Sequence, residues 1–213
     1  MVQKPTWIFR IVHVDNLPGI LQRGRIYAPN TTPDDGLTYK AIHHQSIQAQ
    51  RAHTPVPCGP GGVIHDYVPF YFAPRSPMLY VISRDNVQGY DGGQEPIVYL
   101  VSNAQTIQSS GTGFVFTDGH SIMALSMFYD DLAHLDRVDW SVMRSKWWND
   151  TDRAPDRKRQ RQAEFLVHRY CEWPLVQGVV VFSEQRKEHV EDVLARFPQY
   201  PGVVVRVERG WYY

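Results

Sequence analysis

Cysteine is scarce in this sequence: Cys58 and Cys171 are the only two among 213 residues. That excludes a disulfide-built scaffold and a zinc site made from paired cysteines, and it fits a reducing compartment. No run approaches the roughly 18 consecutive apolar residues of a membrane-spanning helix. The opening MVQKPTWIFRIV lacks the apolar core and small-residue cleavage site of a secretory leader, so a cytoplasmic protein is expected. Excess charge is missing too, since 22 Lys and Arg balance 22 Asp and Glu. Any nucleic acid must then be met by a local patch and not by a net field. No G-x-G-x-x-G follows a strand-like segment, which excludes a nicotinamide cofactor held in the usual dinucleotide fold. No H-x-E, H-E-x-x-H or paired-carboxylate spacing supports a metal-dependent nuclease, and no metal is expected.

Apolar and aromatic residues are plentiful, at 43% and 13%, with six Trp and twelve Tyr. This length supports one substantial core and not two, which predicts a single domain over residues 1–213. Short apolar runs bounded by turn residues predict strands at 6–12, 66–72, 78–82, 97–101, 113–117, 164–170, 179–182 and 202–207. Residues 17–23, 38–51, 103–108 and 184–196 predict helices, the first ended by Gly24. Pro69 predicts an edge or bulged position for its strand. Residues 118–163 form a long stretch of small amphipathic pieces and polar loops, of a length that is usually functional or disordered. Many short strands mixed with short helices, without regular crossovers, predict an α+β fold.

Four places carry chemistry. His13, Asn16 and Gly24 surround the first strand-to-helix junction, where backbone N–H groups can receive an anionic or amide-bearing ligand. The bland alternative makes Asn16 a helix cap and His13 a satisfied structural residue. Arg51 ends a polar helix before a Gly/Pro-rich loop; from there a guanidinium reaches a diphosphate bidentately, or simply complements the helix dipole. The block HDYVPFYFAPRSPML (residues 65–79) sets four aromatics beside a proline turn. Alternation sends about half of them into the core, and Tyr71 and Met78 are placed beside a planar ligand. Glu164 opens the apolar strand EFLV directly after a basic run, where a carboxylate is costly to bury unless paired or used. An exposed strand start is the alternative there, and Glu172 is the competing carboxylate.

Together these pieces resemble the DarT family, bacterial DNA ADP-ribosyltransferase toxins paired with DarG antitoxins. The resemblance rests on H-x-x-N-L-x-x-I-L-x-x-G (His13, Asn16, Leu17, Ile20, Leu21, Gly24), Arg51, DYVPFYFAPRSPML (66–79) and the late Glu164, and it spans residues 7–213. It implies an ADP-ribosyltransferase-like split β-sheet with short helices, a cleft for NAD⁺ as co-substrate, and a long substrate-targeting loop. It implies that His13 and its neighbours Leu17 and Gly24 hold the nicotinamide amide, Asn16 helps orient the cofactor, Tyr71 packs by the nicotinamide ring, Arg51 fixes the diphosphate and Glu164 is the catalytic acidic residue. In the commoner branch the acceptor is thymidine of single-stranded DNA, in a smaller one guanine, and the partner is a DarG-type antitoxin. Arg51, through hydrogen bonding to the base, or Glu164 would assist loss of the thymidine ring proton. His120 would orient the substrates. Met78 with Trp147 or Trp148 would stack on bases at about 1–3 kcal/mol each, and Arg75, Lys146, Arg153, Arg157, Lys158 and Arg159 would meet phosphates. The Arg-Ser-Glu and His-Tyr-Glu signatures of other transferases are not present. A different class, a non-catalytic single-strand-binding module, would use the same aromatics and basic run.

Overall fold

A computed structural model describes residues 5–213, so residues 1–4 of the opening segment weighed above as a leader lie outside it. Among the described residues there are ten strands: β1 (Trp7–His13), β2 (Arg25–Tyr27), β3 (Tyr67–Tyr71), β4 (Ile97–Asn103), β5 (Phe114–Thr117), β6 (Phe128–Tyr129), β7 (Glu164–His168), β8 (Tyr170–Glu172), β9 (Gly178–Val181) and β10 (Val204–Val207). The α-helices are α1 (Leu17–Arg23), α2 (Gln45–Arg51), α3 (Pro77–Ser83), α4 (Ala104–Ser109), α5 (Trp140–Arg144), α6 (Arg157–Gln160) and α7 (Glu184–Ala195). Eight strands form a sheet in the order β10-β9-β4-β1-β3-β7-β5-β6, and β2 pairs with β8 apart from it. Only β10 and β9 run parallel.

The sheet is covered on both faces, which is why its central strands are mostly apolar; all seven residues of β4 are buried. On one face Leu17, Ile20 and Leu21 of α1, Ile107 of α4 and Val190 and Val193 of α7 join a core with Val12, Leu100 and Phe165. On the other, Leu79 and Ile82 of α3 and the carboxy-terminal Tyr212 pack on Phe9, Ile11 and Tyr99. No helix among the described residues is long and apolar enough to cross a membrane.

One seam in this sheet is nearly open. β1 has seven registered pairs with β4 and β3 has five with β7, but β1 and β3 share only Phe9 with Tyr71. Pro69 is part of the cause. Its carbonyl accepts from the Arg10 guanidinium at 3.0 Å in place of a ladder partner. A strand residue points its nitrogen and its carbonyl to the same edge, so the nitrogen without a hydrogen faces β1 as well. Pro69 is therefore neither at the sheet edge nor in a bulge; it sits inside the sheet at the split. The result is the α+β split-sheet architecture, in two halves, β10-β9-β4-β1 and β3-β7-β5-β6.

Two predicted elements change. Residues 78–82 form helix α3, not a strand, because Ser76 Oγ accepts from the Leu79 N–H at 3.2 Å and Pro77 takes the first helical position. Helix α2 begins at Gln45, not at residue 38. Asn16 donates from its amide to the Lys40 carbonyl (3.0 Å) and accepts from the Lys40 N–H (2.7 Å), which holds residues 38–44 out of helix.

Gly24 caps α1 with a left-handed φ of 65°, and a Cβ there would collide with the Tyr200 hydroxyl. Gly24→Ala is expected to lower the unfolding free energy by about 1–2 kcal/mol. Urea denaturation checks this, and an unchanged midpoint would contradict it.

Candidate active site

Glu164 is the first residue of β7, directly across from Tyr71 on β3. Its backbone N–H donates to Thr117 Oγ1 at 3.0 Å, which ties it to the end of β5. The residue is 2% exposed. Its carboxylate accepts from Arg51 Nη1 at 2.8 and 3.1 Å and from the Ser121 hydroxyl, and Arg51 Nη1 also lies 3.2 Å from Ser121 Oγ. Arg51, at the end of α2, is 5% exposed. Its Nη2 is buried without a hydrogen-bond partner, so one donor remains for a ligand. Charges this far from water persist only when paired and hydrogen-bonded. Glu172, the competing carboxylate, instead pairs with Arg25 at 3.1 Å in the β2–β8 ribbon.

The pair borders a cleft of about 440 Å³. Arg10, Lys40, Arg51 and Lys158 line it against a single carboxylate, Glu164, so a neutral molecule carries a locally cationic site. His43, His44, His65, His120, Tyr39, Tyr71 and Met78 also line it. Burial is the main cause of the perturbed titrations. It lowers His65 and His120 below the usual imidazole range, and with the Glu164 carboxylate it raises the Tyr71 phenol. Burial and then the Arg51 cation draw the Arg10 guanidinium down to about 10.

Several predicted residues converge here: Arg51, Glu164, Tyr71, Met78, His120 and Asn16 all line the cleft. Asn16 contributes mainly by gripping Lys40, since both ends of its amide are engaged there. His13 is not among the lining residues. It is buried, with Nδ1 accepting from the Asp15 N–H (3.1 Å) and its ring edge-on to Tyr90 at 5.9 Å. Leu17 is core, and Gly24 is the helix cap.

The outer residues divide. Trp147 is 71% exposed, with Lys146 Nζ 5.6 Å from its ring centre. Trp148 is buried and is no stacking platform: its Nε1 donates to the Tyr213 hydroxyl at 3.0 Å and Tyr80 lies edge-on at 6.0 Å. Arg75 lays its guanidinium over the Tyr213 ring at 4.5 Å, and Arg153 is exposed. Arg159 is not free for phosphate. It is buried, and its guanidinium donates to Asp156, to Asp118 (2.9 Å) and to Ser126 (3.1 Å), while its carbonyl accepts from the His120 N–H. Arg161 likewise holds the carbonyls of Val142, Met143 and Pro74. These two arginines brace the long loop, and Lys158 reaches the cleft.

Several site residues were not found from sequence, among them Lys40 and His43 in the cleft wall, Arg10 and Ser121. Arg10 had a signal, a lone cation inside the apolar run TWIFRIV; Ser121 had none. Among the described residues no group of three or more His, Cys, Asp or Glu side chains could hold a metal ion.

Comparison with known proteins defines the class as transferases that attach ADP-ribose to DNA. The family described as DarT, ssDNA thymidine ADP-ribosyltransferase, matches residues 9–213, and the chain belongs to that family. The DNA ADP-ribosyl transferase of Thermus sp. (strain 2.9) is 41% identical over 210 residues, covering 99% of this chain and 97% of that protein. The structure of Thermus sp. 2.9 DarT with ADP-ribosylated ssDNA matches with a TM-score of 0.93 and 41% identity, over 99% of this chain and 98% of that one. Its complex with NAD⁺ gives a TM-score of 0.89 and 39% identity, over the full length of both chains. A fusion of DNA ADP-ribosyl transferase with DNA ADP-ribosyl glycohydrolase from Thermosipho africanus is 23% identical over 162 residues, covering 75% of this chain and 38% of the fusion.

Burial lowers His13, His65, His120 and His168 from the usual 6.5. Below that pH the unfolded chain binds more protons than the folded one, so stability present above it declines as pH falls. The thermal midpoint is expected to drop between about pH 7.5 and about pH 5.5, before carboxylates titrate. A flat profile across that window would contradict the burial of these imidazoles.

Proposed function

We propose that this chain transfers ADP-ribose from NAD⁺ to thymidine in single-stranded DNA and releases nicotinamide. The observation that carries the reading is Glu164, a buried carboxylate held by Arg51 and Ser121 at the edge of a cationic cleft in a split sheet. The Thermus relative, 41% identical and with the same fold, is seen with NAD⁺ and with ADP-ribosylated ssDNA. Tyr71 packs beside the nicotinamide. Residues 38–44, held by Asn16, form one wall of the NAD⁺ site.

The chemistry follows from the charges. As the bond between nicotinamide and ribose breaks, positive charge builds on the ribose, and the Glu164 carboxylate stabilises it at close range in a dry site. The thymine ring nitrogen then bonds to the anomeric carbon while nicotinamide leaves with the bonding electrons. The proton of that nitrogen passes to Glu164, the only carboxylate lining the cleft among the described residues. Arg51 orients Glu164 and keeps Nη2 as a donor to the substrates. Attack from a Watson–Crick edge requires an unpaired base, which accounts for a single-stranded substrate. Met78 and His120 border the acceptor, Trp147 stacks on a neighbouring base, and Arg75, Lys146 and Arg153 meet phosphates. The setting is one ADP-ribosyltransferase domain in the bacterial cytoplasm. Its partner is a DarG-type antitoxin, a reading supported by the relative in which transferase and DNA ADP-ribosyl glycohydrolase are fused.

The test mixes the protein with NAD⁺ and short oligonucleotides, each rich in one base, and records intact masses. One ADP-ribose is expected on thymine-containing strands only, with the rate lowered about 10²–10³-fold or more in Glu164→Ala. An adduct confined to guanine overturns the acceptor and keeps the class. Binding without any adduct contradicts the transferase reading.

A further inference from the structure

We infer that Arg10 is the anchor for the diphosphate of the bound dinucleotide, a role that Arg51 is poorly placed to fill because Glu164 engages it. The inference rests on the cleft being the NAD⁺ site. Arg10 lies in the middle of β1 between Ile8 and Val12, both buried in the core. An arginine in such a strand is costly, and here its guanidinium occupies the opened seam between β1 and β3, lining the cleft. Nη1 donates to the Pro69 carbonyl at 3.0 Å. Nε is buried with no hydrogen-bond partner, and among the described residues no carboxylate pairs with this side chain.

The charge balance of the cleft makes the same point. Its one lining carboxylate already accepts from Arg51 and Ser121. Two guanidinium groups thus share one anion, and each keeps a buried donor without a partner, Nε on Arg10 and Nη2 on Arg51. A half-buried cation with a buried, unpartnered Nε and no carboxylate beside it favours an anion from outside the chain. A diphosphate carries two negative charges and several acceptor oxygens, and the planar fork of arginine matches that geometry. The neutral nicotinamide amide and the ribose hydroxyls of NAD⁺ do not supply that charge.

The experiment titrates ADP-ribose, inorganic pyrophosphate and nicotinamide riboside, which lacks the diphosphate, into wild type, Arg10→Gln and Arg10→Lys by calorimetry, with thermal melting of each free protein. Arg10→Gln is expected to weaken ADP-ribose and pyrophosphate about 10- to 100-fold while changing nicotinamide riboside by less than about twofold. Arg10→Lys should fall between, because it restores charge without the fork. The free Arg10→Gln protein should melt no lower than wild type, because a half-buried cation without a carboxylate partner has been removed. Unchanged ADP-ribose binding, or equal losses for all three ligands with both variants melting lower, overturns the assignment and makes Arg10 a brace of the seam. A wild type that binds pyrophosphate through Arg10 but forms no DNA adduct would keep the anion site and end the transferase reading. Adduct formation by Arg10→Gln with an unchanged KM for NAD⁺ would do the reverse.

Discussion

The buried ion pair between Arg51 and Glu164 is the interaction on which the rest of the site depends. It joins the last residue of α2, the first of β7 and, through Ser121, the loop after β5, three segments far apart in sequence. Holding two charges out of water is unfavourable unless the geometry is good and the remaining hydrogen-bonding capacity is used. Here Ser121 supplies part of that capacity, and Thr117 holds the Glu164 backbone. The unpartnered Nη2 of Arg51 remains available to substrate.

The fold positions this pair by a defect in its own sheet. Where β1 and β3 should pair, Pro69 offers no donor and the Arg10 side chain takes its carbonyl, so a cleft opens between two otherwise well-covered halves. Around it, the scaffold uses charged residues as braces. Arg159 and Arg161 tie the long loop to carboxylates and carbonyls, and Asn16 fixes the backbone at Lys40. The cleft is cationic because the cations that line it outnumber its one carboxylate, although the whole chain is neutral.

Much of this was legible in the sequence. Glu164 stood out because a carboxylate at the head of EFLV needs a reason to be buried, and the helix ended by Gly24 was visible in its periodicity and stop signal. The split β-sheet was legible through the family resemblance, while Pro69 hinted at disturbed pairing but not at its place inside the sheet. The misread elements share a physical cause. A five-residue apolar run such as 78–82 looks the same in a helix and in a buried strand, and the deciding contact, Ser76 to Leu79, is a cap of one hydrogen bond. Residues 38–44 are helix-compatible locally and are overruled by a tertiary contact from Asn16. The basic run gives no hint that Arg159 and Arg161 are buried, since long-range carboxylates and carbonyls decide it; Trp148 differs from Trp147 for the same reason.

The most direct test of the ion pair is a double-mutant cycle on unfolding free energy with Arg51→Ala, Glu164→Ala and the double variant. Each single change leaves a buried charge alone and should cost about 3–5 kcal/mol, whereas the double variant should be no less stable than either single one. Additive losses would show that the two residues are held independently, and would contradict the central place given to their pairing.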